Sequence, residues 1–468
     1  MGVLFKRISE GENKPAAGSG RATAKGVPES REYGRAICSL ALTIFLLALA
    51  AAPARARFSF SVGLTTSSQW SDNVYSASDN EEEDISYTVT PDIMLGYIAP
   101  RGSLFVSLSA SRNRYRRLKD LDRDSFSSSI DGTYHLSRRT TISFTNSFTY
   151  TQDVTTQTAL FEDVMTEAGI ISAPTRRDAV ANQLDNTVQV TLLHDFSART
   201  SLNAWIRRRD NVFDNDEFDD SDNTSFQANL THDVNQRDRF SFRFYTSRHH
   251  FGDNEVDSGR ARAIVQYLHR QNARTEYTLL FQLERVNDGR PVDDLIFKSR
   301  TVTLECGVLH HINRRWTLDL GVGISSSRRS GDLSVDEKPK DRGTEYRCEL
   351  SRTTRRSVLT FRTSNTYNPG VRYGFGTKFF AVDYVRDITP HLKWTATLSS
   401  SKNESDRAGG IDTDTSVFSS SFIWTISDEA NVSVQYSHVD QESKGEEASN
   451  VKRNTIFISL NLRYAVNR

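Results

Sequence analysis

Nine short polar turns punctuate this chain: "APRG" from residue 99, "SRRT" from 137, "SART" from 197, "NQRD" from 235, "NART" from 272, "NRRW" from 313, "RTTRR" from 352, "TPHL" from 389 and "SDEA" from 427. They recur about every 39 residues, with a single interval of 60. Between them lie longer acidic or Gly-rich stretches such as "SASDNEEED", "NDGRPVDD" and "RRSGDLSVDEKPKDRG". One end of every repeat is therefore tight and the other long. The connecting segments alternate with period two: Trp316, Leu318, Leu320, Val322 and Ile324 are separated by Thr317, Asp319, Gly321 and Gly323. Alternation of this length is a strand signal without helical spacing. A β-propeller, whose repeats are also about 40 residues, is the alternative on periodicity; each repeat here holds two long strands rather than four short ones and lacks a recurrent Gly-His or Trp-Asp signature, which argues against it. Nine turns join eighteen strands. A first strand near 58–70 and a last at 454–466 bring the expected count to 20, within a range of 16–22, with both ends of the sheet on the tight-turn side.

Composition says what surrounds that sheet. Hydrophobic residues are 37%, charged residues 25% and mean hydropathy is −0.53, yet the chain holds 26 Phe and 16 Tyr. Such a mixture fits strands with one apolar and one polar face. The last strand shows the choice this poses: Ile456, Ile458, Leu460, Leu462 and Tyr464 lie on one side, Ser459, Asn461 and Arg463 on the other. A second sheet could cover the apolar side, or lipid could. Tight turns at one end, long loops at the other and strands of about ten residues or more are what a membrane barrel requires. Closure also pairs every backbone group, which hydrocarbon demands. Tyr97, Tyr134, Phe196, Phe240, Trp316, Trp394 and Tyr464 all lie near the tight turns or the C-terminus, where an interfacial girdle sits. The expected fold is all-β: a closed antiparallel transmembrane β-barrel with short periplasmic turns and long outer loops.

The N-terminal region reads as a signal peptide. Arg31 and Arg35 precede the apolar run 36–52, and Ala54-x-Ala56 fits a small-residue cleavage site. This divides the chain into a signal peptide over 1–56, whose long n-region suggests a start assigned too far upstream, and one barrel domain over 57–468. Cleavage there removes 8 of 59 basic and 4 of 59 acidic residues, leaving 51 and 55. Without a basic excess, no nucleic-acid partner is expected. Beyond the leader only Cys306 and Cys348 remain, so this is no disulfide scaffold. Both fall in the outward register with one strand between theirs, too far apart to bridge.

Function must come from the opposite register. Arg207, Arg243, Arg262, Arg347, Arg362, Lys393 and Arg463 fall on the polar side, with Glu276, Glu284, Glu305, Asp319, Glu349 and Asp383. Charges are costly toward lipid and tolerated in a lumen. They either line a water-filled pore or pair as ladders between strands. The longest insertion, 151–182, carries Leu160, Phe161, Val164 and Met165 at the spacing of one helical face, a candidate constriction folded into the channel. Asp214, Asp216 and Asp219 form an oxygen-rich cluster able to hold Ca²⁺, although the EF-hand pattern is absent, so no metal is assigned. No cofactor is expected. His249-His250 and His310-His311 are adjacent in strands and point to opposite faces. Without HExxH or GxSxG, no catalytic constellation appears and the chain reads as a non-enzyme.

The segment "SVGLTTSSQWSDNVYSASDNEEEDISYTVTPDIMLGY", with Ser71-Asp72-Asn73-Val74-Tyr75 before an acidic loop and Thr90-Pro91 after it, resembles a group of Gram-negative outer-membrane barrels. These accompany exopolysaccharide synthesis or exosortase (PEP-CTERM) systems. The last strand likewise resembles the C-terminal sorting strand of such barrels. The resemblance implies bacterial outer-membrane localisation and a channel for polar solutes or exported polysaccharide. It implies as partners outer-membrane lipid and lipopolysaccharide, the barrel-assembly machinery and periplasmic export components. A general diffusion porin, and a plugged barrel serving as envelope anchor or assembly partner, are the alternatives.

Overall fold

The computed structural model describes residues 57–78, 81–151, 182–214, 220–251, 256–292, 295–330, 342–368, 375–405, 412–444 and 450–467. The expected leader and the candidate constriction residues Leu160, Phe161, Val164 and Met165 lie outside them. Twenty strands follow in order. They are β1 (Arg57–Ser71), β2 (Asp84–Ala99), β3 (Gly102–Tyr115), β4 (Arg123–Ser137), β5 (Thr140–Thr151), β6 (Gln183–Ser197), β7 (Thr200–Phe213), β8 (Ser221–Asp233), β9 (Asp238–Phe251), β10 (Val256–Asn272), β11 (Thr275–Val292), β12 (Leu295–His311), β13 (Trp316–Ser330), β14 (Arg342–Thr353), β15 (Ser357–Asn368), β16 (Phe375–Thr389), β17 (Leu392–Ser405), β18 (Asp412–Ser427), β19 (Ala430–Lys444) and β20 (Val451–Asn467). Each pairs antiparallel with its sequence neighbour. β1 also pairs with β20, from Ser59↔Asn467 to Ser71↔Thr455, so the sheet closes. The nine tight turns fall where the sequence places them, and the strand count is the expected 20.

The turns share a device. The side-chain oxygen of the turn's first residue accepts the backbone N–H two residues on: Ser137 from Arg139 at 3.1 Å, Asn235 from Arg237 at 2.7 Å, Asn272 from Arg274 at 2.7 Å and Asn313 from Arg315 at 2.8 Å. This is the local side-chain mimicry of a backbone turn that favours Ser, Thr and Asn there. The carbonyl of that third residue then accepts an amide from the next hairpin, as in Asp195 N–H to Arg139 O at 2.8 Å and Arg463 N–H to Glu429 O at 2.7 Å. The tight-turn rim is thus stitched from hairpin to hairpin through to the last strand.

The strands run farther toward the long loops than the sequence suggests. β11 alone takes in residues 287–292, most of the "NDGRPVDD" expected as loop, and β12 begins directly after that segment at Leu295. Pairing continues past the bilayer because an outer hairpin still satisfies its backbone through the ladder.

Side-chain parity divides the sheet cleanly. On one face stand Phe240, Phe242 and Phe244; Tyr277, Leu279, Phe281 and Leu283; and Val322 and Ile324, the last two 64% and 61% exposed. From Tyr277 to Leu283 this band spans about 20 Å at ~3.3 Å per residue. So continuous an apolar surface needs a nonaqueous neighbour, and a bilayer supplies one. All seven girdle aromatics share this outward face. Cys306 and Cys348 lie on it too, both as free thiols.

The seam is sealed by the motif noted above. Asp72 accepts from Asn454 through its backbone N–H at 2.7 Å and its Nδ2 at 2.6 Å. Asn73 is fully buried; its Nδ2 donates to Ala77 O at 2.8 Å and Lys452 O at 3.0 Å, and its Oδ1 accepts from Ala77 N–H at 2.9 Å. Ser76, at φ 54°, completes the turn and accepts from Arg453 at 3.1 Å. The short Asx side chains here clasp the first outer loop to the final strand.

Candidate functional site: the lumen wall

The inward face is set by register. Arg207, Arg243, Arg262, Glu284, Glu305, Asp319, Arg347, Glu349, Arg362, Asp383, Lys393 and Arg463 all share the face opposite the apolar band, as does Glu276. With strands ~4.8 Å apart and tilted by roughly 40°, twenty of them enclose a barrel about 40 Å across from backbone to backbone.

The wall has two parts. From β6 to β16 it is charged. Glu284 on β11 lies between Arg260 and Arg262 of β10; its carboxylate contacts Arg260 Nε and stands 3.4 Å from Arg262 Nε. Arg209 Nε meets Asp185 at 2.6 Å, and Arg362 Nε meets Asp383 at 3.1 Å. Asp383 also accepts from Thr397 at 3.0 Å, carrying the network to β17. Arg347 on β14 reaches Glu305 on β12 at 3.1 Å, and Asp319 on β13 at 3.6 Å. The link to Glu305 crosses β13 over a glycine. A Cβ at Gly321 would lie 2.6 Å from Arg347 Nε and 2.7 Å from Glu305 Oε1. Glu349 stands directly opposite Asp319 and Arg362, and Lys393 directly opposite Asp387. Arg207 lies over the Trp205 ring at 5.3 Å. Arg243 stands between Asn229 and Ile264.

From β17 through the seam to β5 the inward face is mostly small hydroxyls that pair across strands. Ser107 and Ser129 lie 2.8 Å apart, Ser109 and Ser127 2.6 Å, Thr395 and Ser421 2.8 Å, and Ser433 and Ser459 2.7 Å. A charged pair that enters here repeats the glycine device: Arg463 on β20 reaches Asp92 on β2 at 3.2 Å, crossing β1 at Gly63. A Cβ on Gly63 would sit 2.0 Å from Asp92 Oδ1.

Sequence reading missed several participants. Asp92 and Arg260 follow from parity once the partner strands are fixed. Trp205 and Tyr245 form an inward aromatic pair, their ring centroids 6.2 Å apart, flanking Gln227 of β8. Of the cation candidates, Asp214 accepts from the backbone and side-chain N–H groups of Asn182, which closes the outer end of β6 and β7. Asp216 and Asp219 lie outside the described residues. Among the described residues no group of three His, Cys, Asp or Glu is placed to hold a metal ion, and no helix is long and apolar enough to cross a membrane.

Solved structures share this architecture. The FrpB iron transporter of Neisseria meningitidis (F5-1 variant) superposes with a TM-score of 0.52 at 9% identity, covering 86% of this chain and 82% of that one. The ferric-catecholate import receptor Fiu of Escherichia coli K12 gives 0.52 at 8% identity, over 86% and 81%. The siderophore receptor PiuA of Acinetobacter baumannii gives 0.50 at 8%, over 86% and 82%. This barrel belongs in the bacterial outer membrane. Identities this low establish the fold and nothing of the cargo. No protein-family model and no curated protein matches the chain in sequence.

Proposed function

We propose that the barrel is an outer-membrane channel for polar solutes, and that exported polysaccharide is the cargo its lumen suits. The observation that carries the saccharide reading is the inward Trp205–Tyr245 pair with Gln227 between them and Arg207 alongside. Aromatic faces beside an amide and a guanidinium offer stacking and hydrogen bonds to a neutral sugar ring. The hydroxyl wall opposite adds many weak, exchangeable contacts with few charges to trap a chain, and conduction needs binding weak enough to permit exit. The likeness to siderophore and iron receptors supports passage across the outer membrane and leaves their cargo with them. The second reading is a general diffusion porin, which the near-balance of inward acids and bases favours. A barrel plugged as an envelope anchor is the third.

Planar-bilayer recording separates the three. The first reading predicts open-channel current that neutral oligosaccharides block, with Trp205→Ala/Tyr245→Ala raising the blocking concentration roughly tenfold, the equivalent of ~1.4 kcal/mol of lost aromatic contact. Current without block leaves the porin, and no current in the intact protein leaves the plugged anchor.

A further inference from the structure

We propose that the outward face of β11–β14 holds the phosphate of an outer-leaflet glycolipid, with Arg285, Arg300 and Arg328 as its ligands. Arg285 on β11 stands directly opposite Arg300 on β12, and Arg300 directly opposite Arg328 on β13. Three guanidinium side chains thus share one row across three adjacent strands. Like charges placed directly opposite each other on a sheet destabilise it, so an isolated barrel has no reason to assemble such a row. Two further cations flank it: Lys298, two positions above Arg300, and Arg342, opposite Ser326 on the edge of β14. All five are exposed.

The rest of the outer rim shows what is unusual. Elsewhere, outward bases on the long-loop side meet acids. Arg114 bonds Asp124 at 2.8 Å, Arg208 bonds Asp210 at 2.9 Å, Lys402 bonds Glu404 at 3.0 Å and Lys378 bonds Glu404 at 3.1 Å. On β11–β14 every described acid, among them Glu284, Glu305 and Asp319, has inward parity, and the outward register of the described residues of those strands carries none. The polar contact made by Arg285 is to Asn287 Oδ1, at 3.2 Å, on its own strand.

The row also has the right height and the right neighbour. It lies ten to twelve residues from the tight turns, about 25–30 Å up a tilted strand, where hydrocarbon gives way to head groups. Directly below it on the same face come Leu283, Val302, Leu304, Phe281 and Ile324. A ligand with acyl chains over those residues presents an anionic head group to the arginines. Guanidinium forks match phosphate oxygens bidentately. The occupant is therefore a phosphorylated amphiphile of the outer leaflet, of which lipopolysaccharide is the membrane's own. Free phosphate would use the charges and leave the apolar half unused.

The test uses the purified full chain in detergent, with lipopolysaccharide, chemically dephosphorylated lipopolysaccharide and inorganic phosphate as probes, and size-exclusion chromatography to quantify bound glycolipid. The expected result is at least tenfold more phosphorylated than dephosphorylated lipid retained by the native protein. Arg285→Gln/Arg300→Gln/Arg328→Gln should lose that preference, whereas Arg114→Gln/Arg208→Gln should keep it, and millimolar phosphate should not displace the lipid. The triple variant should also melt higher than the native barrel without lipid and lower with it, a change of sign that a merely structural role does not produce. Equal retention of the two lipid forms, or displacement by inorganic phosphate, would overturn the proposal. The native-protein comparison decides it even if the variant does not fold.

Discussion

The two walls of the lumen solve the same problem differently. Both must present polar groups to water on a sheet whose other face meets hydrocarbon. The hydroxyl wall does it locally: Ser109 and Ser127 bond each other across one ladder step at 2.6 Å, leaving a low, neutral surface. The charged wall works over longer range. Arg347 bonds Glu305 two strands away, and the strand between must give up a side chain at Gly321 to let the pair cross. Short side chains satisfy themselves in pairs; long charged ones form a network in which each member depends on several others. The charged wall should therefore be fragile to single changes and the hydroxyl wall tolerant of them.

The largest contrast should come at Glu284. Its side chain is only 8% exposed and lies between two arginines that are 16% and 17% exposed. Glu284→Lys would set three cations together, and breaking a buried charge cluster costs about 3–5 kcal/mol. Urea unfolding of the barrel in detergent checks this, and a loss below 1 kcal/mol would mean that the network is not coupled. Next comes Gly321→Val, which wedges a branched side chain under the Glu305–Arg347 pair; overpacking of this kind costs about 1–3 kcal/mol. Gly259→Ala is its control, since the nearest atom to a Cβ there is 3.6 Å away, and it should leave the unfolding midpoint unchanged. The smallest effect should be Ser109→Ala, which removes one hydroxyl pair and about 1 kcal/mol or less. A cost at Ser109 equal to that at Glu284 would erase the distinction between the walls.

How much of this was legible in the chain follows from the range of each interaction. The turns were readable because "SRRT", "NART" and "NRRW" carry their own local bonds, and parity within a strand is fixed by its period of two. Strand count and facing therefore came from sequence. Pairs that cross an intervening strand did not. Nothing near Asp92 in "PDIMLGY" announces that Arg463 is its partner, since the two meet only when β1 lies between β20 and β2. The same holds for the arginine row: Arg285, Arg300 and Arg328 are unremarkable singly and become a site only through register. Trp205 was hidden differently, because an aromatic in an alternating strand reads first as a lipid-facing residue. The acidic segment with Asp214 signalled oxygen ligands by composition, while its described carboxylate closes a hairpin end instead.

The account depends on which face of the sheet meets lipid, and the two native thiols report on it. Cys306 and Cys348 stand on the apolar face, whereas Asp319 stands on the other. In proteoliposomes a membrane-impermeant hydrophilic maleimide should leave both native cysteines unlabelled until detergent unfolds the barrel. An Asp319→Cys substitution in a Cys306→Ser/Cys348→Ser background should label at once. Rapid labelling of Cys306 in the intact bilayer, with Asp319→Cys protected, would mean that the sheet faces the opposite way from the one argued here.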